Sequence, residues 1–273
     1  MPGILYIVAT PIGNLEDITL RALRALREAD LIACEDTRQT RKLLDHASIS
    51  KPVLSYHEHN ESARAAELIA RLESGAKIAL VSDAGTPLIS DPGYRLVAAA
   101  IQARIPVVPI PGACAAVAAL SASGLPTDAF RFCGFLPPRT SPRRRFLKEM
   151  ARESGTLIFY EAPHRILDAL DDIAESMGPR RVVVAREITK IHEEFLRGTA
   201  AEVRAQLADR AVIRGEITIL VGKQEGAATP DETPVEDAVR ALVEQGLSRM
   251  DAIKRVAKER GIPKRECYRR FTS

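Results

Sequence analysis

One pattern recurs three times in the chain and constrains its fold: a short apolar run that ends abruptly in a turn. The runs cover residues 4–10, 77–81 and 106–110, and each has the continuous hydrophobicity of a strand buried on both faces. A helical pattern follows each turn. Strands that alternate with helices in this way predict an α/β fold built on a parallel sheet.

The three turns share one chemistry, because all consist of small or conformationally stiff residues. We call them the first loop (residues 11–14), the second loop (residues 83–93) and the third loop (residues 111–115). Small residues let a ligand approach the backbone, and proline fixes the loop shape. Ligands of open α/β sheets bind beyond the carboxyl ends of the strands. A single loop of this kind could be a rigid turn without a ligand, but three favour a ligand site where they meet.

The rest of the chain divides into three further parts. Residues 124–223 contain apolar runs at 130–135, 156–160, 181–185 and 217–221, which predict a second α/β domain after a first one at residues 1–123. Residues 224–233 are polar, with Gly, Pro and Ala, and predict a linker. Residues 234–273 show only helical periodicity and predict a small helical unit.

Positive charge is local rather than global. The net charge of the chain is only +3, yet residues 234–273 carry ten Lys and Arg against six Asp and Glu. A second basic cluster follows the prolines of a predicted loop at residues 136–145. Such clusters can contact the phosphates of a nucleic acid, although each could also be a solvated surface. The candidate RNA-binding residues are Arg139, Arg143, Arg144, Arg145, Lys254, Lys258, Lys264, Arg265 and Arg269.

Several other function classes find no support in the sequence. The four cysteines are far apart, which disfavours a zinc site or a disulfide framework and fits a reducing cytoplasm. No dinucleotide, P-loop or nucleophile-elbow motif is present. No apolar run reaches the ~20 residues needed to span a membrane. Metal binding at His57-Glu58-His59 is disfavoured by the spacing, and Glu35-Asp36 could bind a ribose or cation or, more commonly, cap the next helix.

Five motifs together identify the chain as similar to a known family. They are residues 7–15 (IVATPIGNL), 35–38 (EDTR), 82–93 (SDAGTPLISDPG), 160–165 (YEAPHR) and 214–216 (RGE). They resemble the tetrapyrrole methylase-like class of S-adenosylmethionine-dependent methyltransferases, and within it the branch that methylates small-subunit ribosomal RNA. The resemblance implies two α/β domains with the cofactor in the cleft between them. It also implies 2′-O-methylation of a cytidine in the decoding region of 16S rRNA, as free RNA or in the 30S subunit, by a cytoplasmic homodimer.

The resemblance also implies which residues contact S-adenosylmethionine. Carried onto this sequence, they are Ile12, Asp83, Ala84, Gly85, Thr86, Ala113, Cys114, Tyr160 and Gly215. Ser82-Asp83-Ala84 stands where relatives that act on tetrapyrroles have Gly-Asp-Pro, which favours the RNA branch. Cys114 stands where relatives often have Ser.

Methylation of a ribose hydroxyl requires a group that accepts its proton. Titratable residues concentrate at the strand ends of the second α/β domain, and the candidates are Glu161, His164, Glu187 and Lys190, with Lys190 or Glu187 preferred. Two other functions remain open. A small-molecule methyltransferase of this fold would keep its activity without residues 234–273, and a non-enzymatic ribosome assembly factor would not bind S-adenosylmethionine.

Overall fold

The computed structural model describes residues 2–223, 234–244, 246–260 and 262–272, without the side chains of residues 258, 259 and 272. The predicted linker at residues 224–233 lies outside this set. The chain divides into two compact units, Met1–Lys223 and Gln224–Ser273, which are described separately.

The first half of the larger unit is built on a parallel sheet of five strands in the order β3-β2-β4-β1-β5. The strands are β1 (Ile4–Val8), β2 (Leu31–Cys34), β3 (Val53–Ser55), β4 (Lys77–Val81) and β5 (Val107–Ile110). Most residues of β1, β2 and β4 are buried, as expected for a parallel sheet covered on both faces. The predicted parallel α/β fold is therefore confirmed for this half.

Four helices cover the two faces of this sheet. They are α1 (Leu20–Glu28), α2 (Thr37–His46), α3 (Glu61–Glu73) and α4 (Tyr94–Gln102). Aliphatic side chains of α1 and α2 pack on one face, and those of α3 and α4 pack on the other. Asp36 begins α2, because its carboxylate accepts a hydrogen bond from the Arg38 N–H at 2.8 Å. Of the alternatives considered for Glu35-Asp36, the structure shows the commoner one, helix capping, at Asp36.

The second half is built on a mixed sheet in the order β6-β7-β10-β8-β9. The strands are β6 (Phe130–Phe135), β7 (Thr156–Glu161), β8 (Arg181–Arg186), β9 (Glu194–Thr199) and β10 (Ile217–Val221). Only β6 and β7 run parallel, and the other pairs are antiparallel. The apolar runs that predict this domain do not include β9, because it is an edge strand whose polar residues and glycine obscure its pattern.

The helices of the second half are α5 (Ala115–Ser123), α6 (Thr140–Met150), α7 (Ile166–Met177) and α8 (Ala200–Ala208). Helices α6, α7 and α8 pack on one face of the mixed sheet, and α5 packs on the other. Helix α5 thus belongs by packing to the second sheet, although the predicted domain boundary follows residue 123. The chain passes from one sheet to the other at the third loop.

The described residues of the C-terminal unit form three helices, α9 (Val235–Glu244), α10 (Arg249–Glu259) and α11 (Lys264–Thr272). Their shared core is Val235, Val239, Ala252, Ile253, Val256, Ala257 and Cys267. Across the described ranges of both units, no helix is long and apolar enough to cross a membrane.

Two of the candidate RNA-binding residues have a structural role instead. Residues 140–145 begin α6 rather than extend a loop, and the Arg143 side chain is only 2% exposed. Arg143 and Arg144 each bind one carboxylate oxygen of the buried Asp172 at 2.6 Å. The RNA-binding prediction for Arg143 is therefore wrong, because its guanidinium is inside the protein. Arg144 is also engaged by Glu175 at 2.8 Å, while Arg139 and Arg145 remain exposed.

Because Arg143 and Asp172 are buried, we expect substitution of Asp172 to lower the stability of the protein more than substitution of the adjacent Asp171. Asp172→Asn leaves a buried guanidinium without its counter-charge, so we expect the free energy of unfolding to fall by about 3–5 kcal/mol. Asp171→Asn is the matched control, because Asp171 pairs with Arg204 at the surface, where water screens the interaction. Urea denaturation of the three proteins measures the difference, and equal losses for the two variants would contradict this account.

Candidate functional site

The three loops lie together at one edge of the parallel sheet. They follow β1, β4 and β5, which are neighbours in the sheet and run in the same direction. Their carboxyl ends therefore open on the same side, where ligands of such sheets bind. The convergence of the loops that the sequence predicts is confirmed.

Backbone hydrogen bonds join the loops directly. The Thr10 N–H donates to the Gly85 carbonyl at 2.8 Å, and the Gly85 N–H donates back to the Thr10 carbonyl at 3.1 Å. The Thr86 hydroxyl then donates to the Ala113 carbonyl of the third loop at 3.1 Å. Gly85 has a φ of +87°, and a Cβ there would lie 3.3 Å from Ile12 Cγ2. A side chain at Gly85 would therefore be strained and crowded against the first loop.

The loops form one wall of a cavity of about 350 Å³. From the first half come Ile12, Cys114 and residues 83–86 and 89–91. The opposite wall includes Phe135, Ile188, residues 160–163 at the end of β7 and residues 215–218 at the start of β10. A concave site of this size, apolar with a few polar groups, suits a small ligand.

Eight of the nine predicted cofactor contacts line this cavity. They are Ile12, Asp83, Ala84, Gly85, Thr86, Cys114, Tyr160 and Gly215. The ninth, Ala113, is not in the lining, but its carbonyl accepts the hydrogen bond from Thr86. The structure thus brings together residues that are up to about 200 positions apart in the chain.

Of the four candidate proton acceptors, only Glu161 lines the cavity. Its side chain is fully buried. Oε1 forms an ion pair with Arg165 Nη2 at 2.5 Å and accepts a hydrogen bond from the Ala162 N–H at 2.7 Å. Oε2 has no hydrogen-bond partner among the described residues. A buried carboxylate oxygen without a partner is costly, and because Glu161 belongs to the cavity lining, a bound ligand would supply the missing partner.

Glu187 and Lys190 lie outside the cavity lining and bind each other. Lys190 Nζ donates to Glu187 Oε1 at 2.7 Å and to Glu216 Oε2 at 3.1 Å. Burial would lower the pKa of Lys190, but these hydrogen bonds outweigh it and raise the pKa. The bond from Lys190 lowers the pKa of Glu187. Lys190 therefore keeps its proton near neutral pH, and the exposed His164 also lies outside the lining.

The second loop adds negative charge to the cavity wall. Burial, together with Glu35 and Asp83 nearby, raises the pKa of Asp91 to about 6. Asp83 accepts a hydrogen bond from the Asp36 N–H at 2.9 Å. These carboxylates favour a cationic ligand. No group of three or more His, Cys, Asp or Glu in the described ranges is arranged to hold a metal ion.

An aromatic cluster stands on the opposite wall. The rings of Phe132 and Phe135 meet the Tyr160 ring edge to face, with centroids 4.8 Å and 5.7 Å away. Burial, with the Cys114 thiol nearby, raises the pKa of Tyr160 to about 12, so its phenol stays protonated. The sequence analysis missed Phe135, Asp91 and Glu216 as cavity residues. Asp91 and Glu216 lie within motifs quoted for the family, at residues 82–93 and 214–216, but no local pattern marks Phe135.

The remaining basic candidates lie on the surface. Lys254, Lys264, Arg265 and Arg269 are exposed on the helical unit, and Lys254 Nζ pairs with Asp251 at 3.0 Å. Arg269 also makes an interaction. The Lys258 side chain lies outside the described residues. An RNA-binding role for this surface stays a prediction.

The fold and the cavity define a two-domain α/β protein with a cavity for a small ligand between its two sheets. Residues 4–204 match the family described as Tetrapyrrole (Corrin/Porphyrin) Methylases, and the chain belongs to that family. Within it, the chain belongs with proteins named Ribosomal RNA small subunit methyltransferase I. The protein of that name from Halalkalibacterium halodurans is 52% identical, with 97% of this chain and 93% of the relative aligned. The one from Escherichia coli O157:H7 is 48% identical, with 98% and 94% aligned.

Solved structures share the fold at low sequence identity. Diphthine synthase superposes with a TM-score of 0.63 at 16% identity, over 81% of this chain and 91% of that one. The cobalt-precorrin-4 methyltransferase CbiF gives a TM-score of 0.59 at 18% identity, over 80% and 94%. Uroporphyrin-III C-methyltransferase from Thermus thermophilus, complexed with S-adenosylhomocysteine, gives 0.55 at 19% identity, over 80% and 97%.

The raised pKa of Asp91 predicts a pH-dependent effect on stability. Because the folded-state pKa lies above the ordinary value near 4, ionisation of Asp91 opposes folding. The cost sets in as the pH rises from about 4 to about 6 and persists above that. Asp91→Asn removes it, so we expect the variant to be more stable than the parent at pH 7.5 by about 1 kcal/mol after solvent screening.

Thermal unfolding measured from pH 4 to pH 8 checks this expectation. The advantage of Asp91→Asn should shrink toward zero as the pH approaches 4. The exposed Asp128 provides the control, since Asp128→Asn should leave stability unchanged across the range. An advantage of the same size at every pH would contradict the assignment to Asp91.

Proposed function

We propose that the chain transfers a methyl group from S-adenosylmethionine to the ribose 2′-hydroxyl of a cytidine in the decoding region of small-subunit ribosomal RNA. The observation that carries the proposal is the cavity between the sheets, in a chain 46–52% identical over nearly its whole length to proteins named for this RNA. We propose that the substrate is the assembled 30S subunit and that the reaction takes place in the cytoplasm. The active form of the enzyme is proposed to be a homodimer.

The residues of the cavity fit S-adenosylmethionine. That molecule carries positive charge on its sulfonium and its amino group, and Asp83 and Asp91 supply nearby negative charge. Ile12 supplies an apolar side chain beside Gly85, which has no side chain, so the adenosine can approach the wall closely there. Cys114 precedes α5 without a side-chain cap, so the start of α5 at the cavity has N–H groups that can bind polar ligand atoms.

S-adenosylmethionine supplies a methyl group already attached to a good leaving group. The protein must align the ribose hydroxyl with that methyl and accept its proton. Alignment contributes at most about 7–11 kcal/mol, and a proton acceptor adds about 10²–10⁴-fold.

Glu161 is the proposed proton acceptor. Glu161 belongs to the cavity lining, its buried Oε2 has no partner within the described residues, and Arg165 holds Oε1 in place. Lys190, which the sequence favoured, is the weaker candidate, because its ion pairs keep it protonated. Lys190 and Glu187 instead support the loop whose Thr189 accepts a hydrogen bond from the Asn14 N–H of the first loop at 3.1 Å.

The contact with RNA is proposed to come from the exposed basic side chains. Arg139 and Arg145 flank the start of α6, and the helical unit adds Lys254, Lys264 and Arg265. Neutralised phosphates give such binding a steep dependence on salt.

Methyl transfer to 30S subunits tests the proposal. Subunits are purified from cells that lack this protein, incubated with radiolabelled S-adenosylmethionine and the full chain, and digested for mapping of ribose methylation. We expect one labelled cytidine, in the decoding region. Label that enters only small tetrapyrroles, or no label in 30S subunits, would contradict the proposed function.

The same assay tests Glu161. We expect Glu161→Gln to lower kcat by about 10²–10⁴-fold, because the amide cannot accept the proton. Glu187→Gln is the control, and its loss should stay below about 10-fold, because the amide oxygen can still accept the hydrogen bonds from Lys190 and the Glu216 N–H and only the charge of the ion pair is lost. Calorimetric titration of each variant with S-adenosylmethionine shows whether its cavity is intact. A large loss in Glu187→Gln beside normal activity in Glu161→Gln would refute the assignment.

A further inference from the structure

Strand β6 contains an extra residue just before the cavity. Phe132 pairs with Ile158 of β7, but the next pair joins Phe135 to Tyr160, so three steps on β6 match two on β7. Gly134, inside this bulge, has a φ of +67°, which glycine adopts readily and other residues do not. Bulges of this kind re-aim side chains and occur often next to active sites.

The bulge decides which way Phe135 faces. Side chains alternate along a regular strand, so residues three apart would lie on opposite faces. With the extra residue, the rings of both Phe132 and Phe135 contact Tyr160. The insertion therefore turns Phe135 toward the cavity, where it forms part of the lining.

Phe135 remains largely open to solvent in that position. Its side chain is 55% exposed, and Ile89 across the cavity is 39% exposed. The chain has only seven phenylalanines, five tyrosines and no tryptophan, and three of these rings cluster at the cavity. Exposure alone does not indicate function, since Phe130 on the same strand is 48% exposed and outside the lining. The bulge and the cavity distinguish Phe135 from Phe130.

In the proposed reaction, the target nucleotide must place its ribose hydroxyl in the cavity. This requires the nucleotide to unstack from its neighbours in the RNA. A base that unstacks loses the π-faces on which it rested. Proteins that bind single-stranded RNA replace these contacts with exposed aromatic rings. The ring of Phe135, held edge to face by Tyr160 at the open wall, has the position and exposure to do this.

We propose that Phe135 is the platform on which the base of the target nucleotide stacks, while its ribose enters the cavity. The inference rests on the proposed function and deepens it. It assigns Phe135 to the RNA side of the site, and the first and second loops to the cofactor side.

Phe135→Leu tests the assignment, with Phe130→Leu as the matched control on the same strand. We expect Phe135→Leu to raise the KM for 30S subunits by about 5- to 150-fold, which is the fold-change that corresponds to the free energy of one base–aromatic stack. The kcat and the Kd for S-adenosylmethionine should stay within about 3-fold of the parent. Phe135→Trp should restore the KM, because it retains an aromatic face, and Phe130→Leu should behave as the parent does.

Two results would overturn the assignment. A fall in S-adenosylmethionine affinity that matches the rise in KM would make Phe135 a cofactor contact. An unchanged KM in Phe135→Leu, with an active parent, would show that the ring has no role in RNA binding. Failure of the proposed function gives a different result, since the parent itself would then not methylate 30S subunits.

Discussion

The pair of backbone hydrogen bonds between Thr10 and Gly85 is the constraint on which the site depends. It joins the ends of two neighbouring parallel strands, and the bond from Thr86 to Ala113 extends the connection to a third. The cavity wall formed by the three loops is therefore made largely of backbone and small side chains, and its shape follows from the sheet itself. Such a wall is rigid before any ligand arrives, which reduces the entropic cost of binding.

The second half of the larger unit contributes different chemistry to the same cavity. The first half supplies carboxylates that favour a cation, and the second supplies an aromatic cluster and the buried Glu161. The link between Asn14 and Thr189 holds loops of the two halves in contact. A methyl donor on one wall and a nucleotide on the other would meet between them, as an in-line methyl transfer requires.

Local features of the sequence were sufficient to predict the α/β class and the position of the site. Apolar runs and turns of Gly, Pro and Asp are readable within about ten residues, and they identified the three loops. Features that depend on distant partners were not readable. In the sequence Arg143 belongs to a basic cluster typical of a surface, and only the structure shows that it pairs with the buried Asp172, 29 positions away. The strand β9, the packing of α5 and the bulge that turns Phe135 likewise depend on pairing or packing with remote segments.

A crystal structure of the full chain with S-adenosylhomocysteine tests most directly whether the three loops form a cofactor site. We expect the nucleoside to lie against Ile12 and Gly85, with its amino group near the carboxylates of the second loop and Phe135 still open to solvent. A ligand bound outside this cavity, or stacked on Phe135, would contradict that division of the two walls.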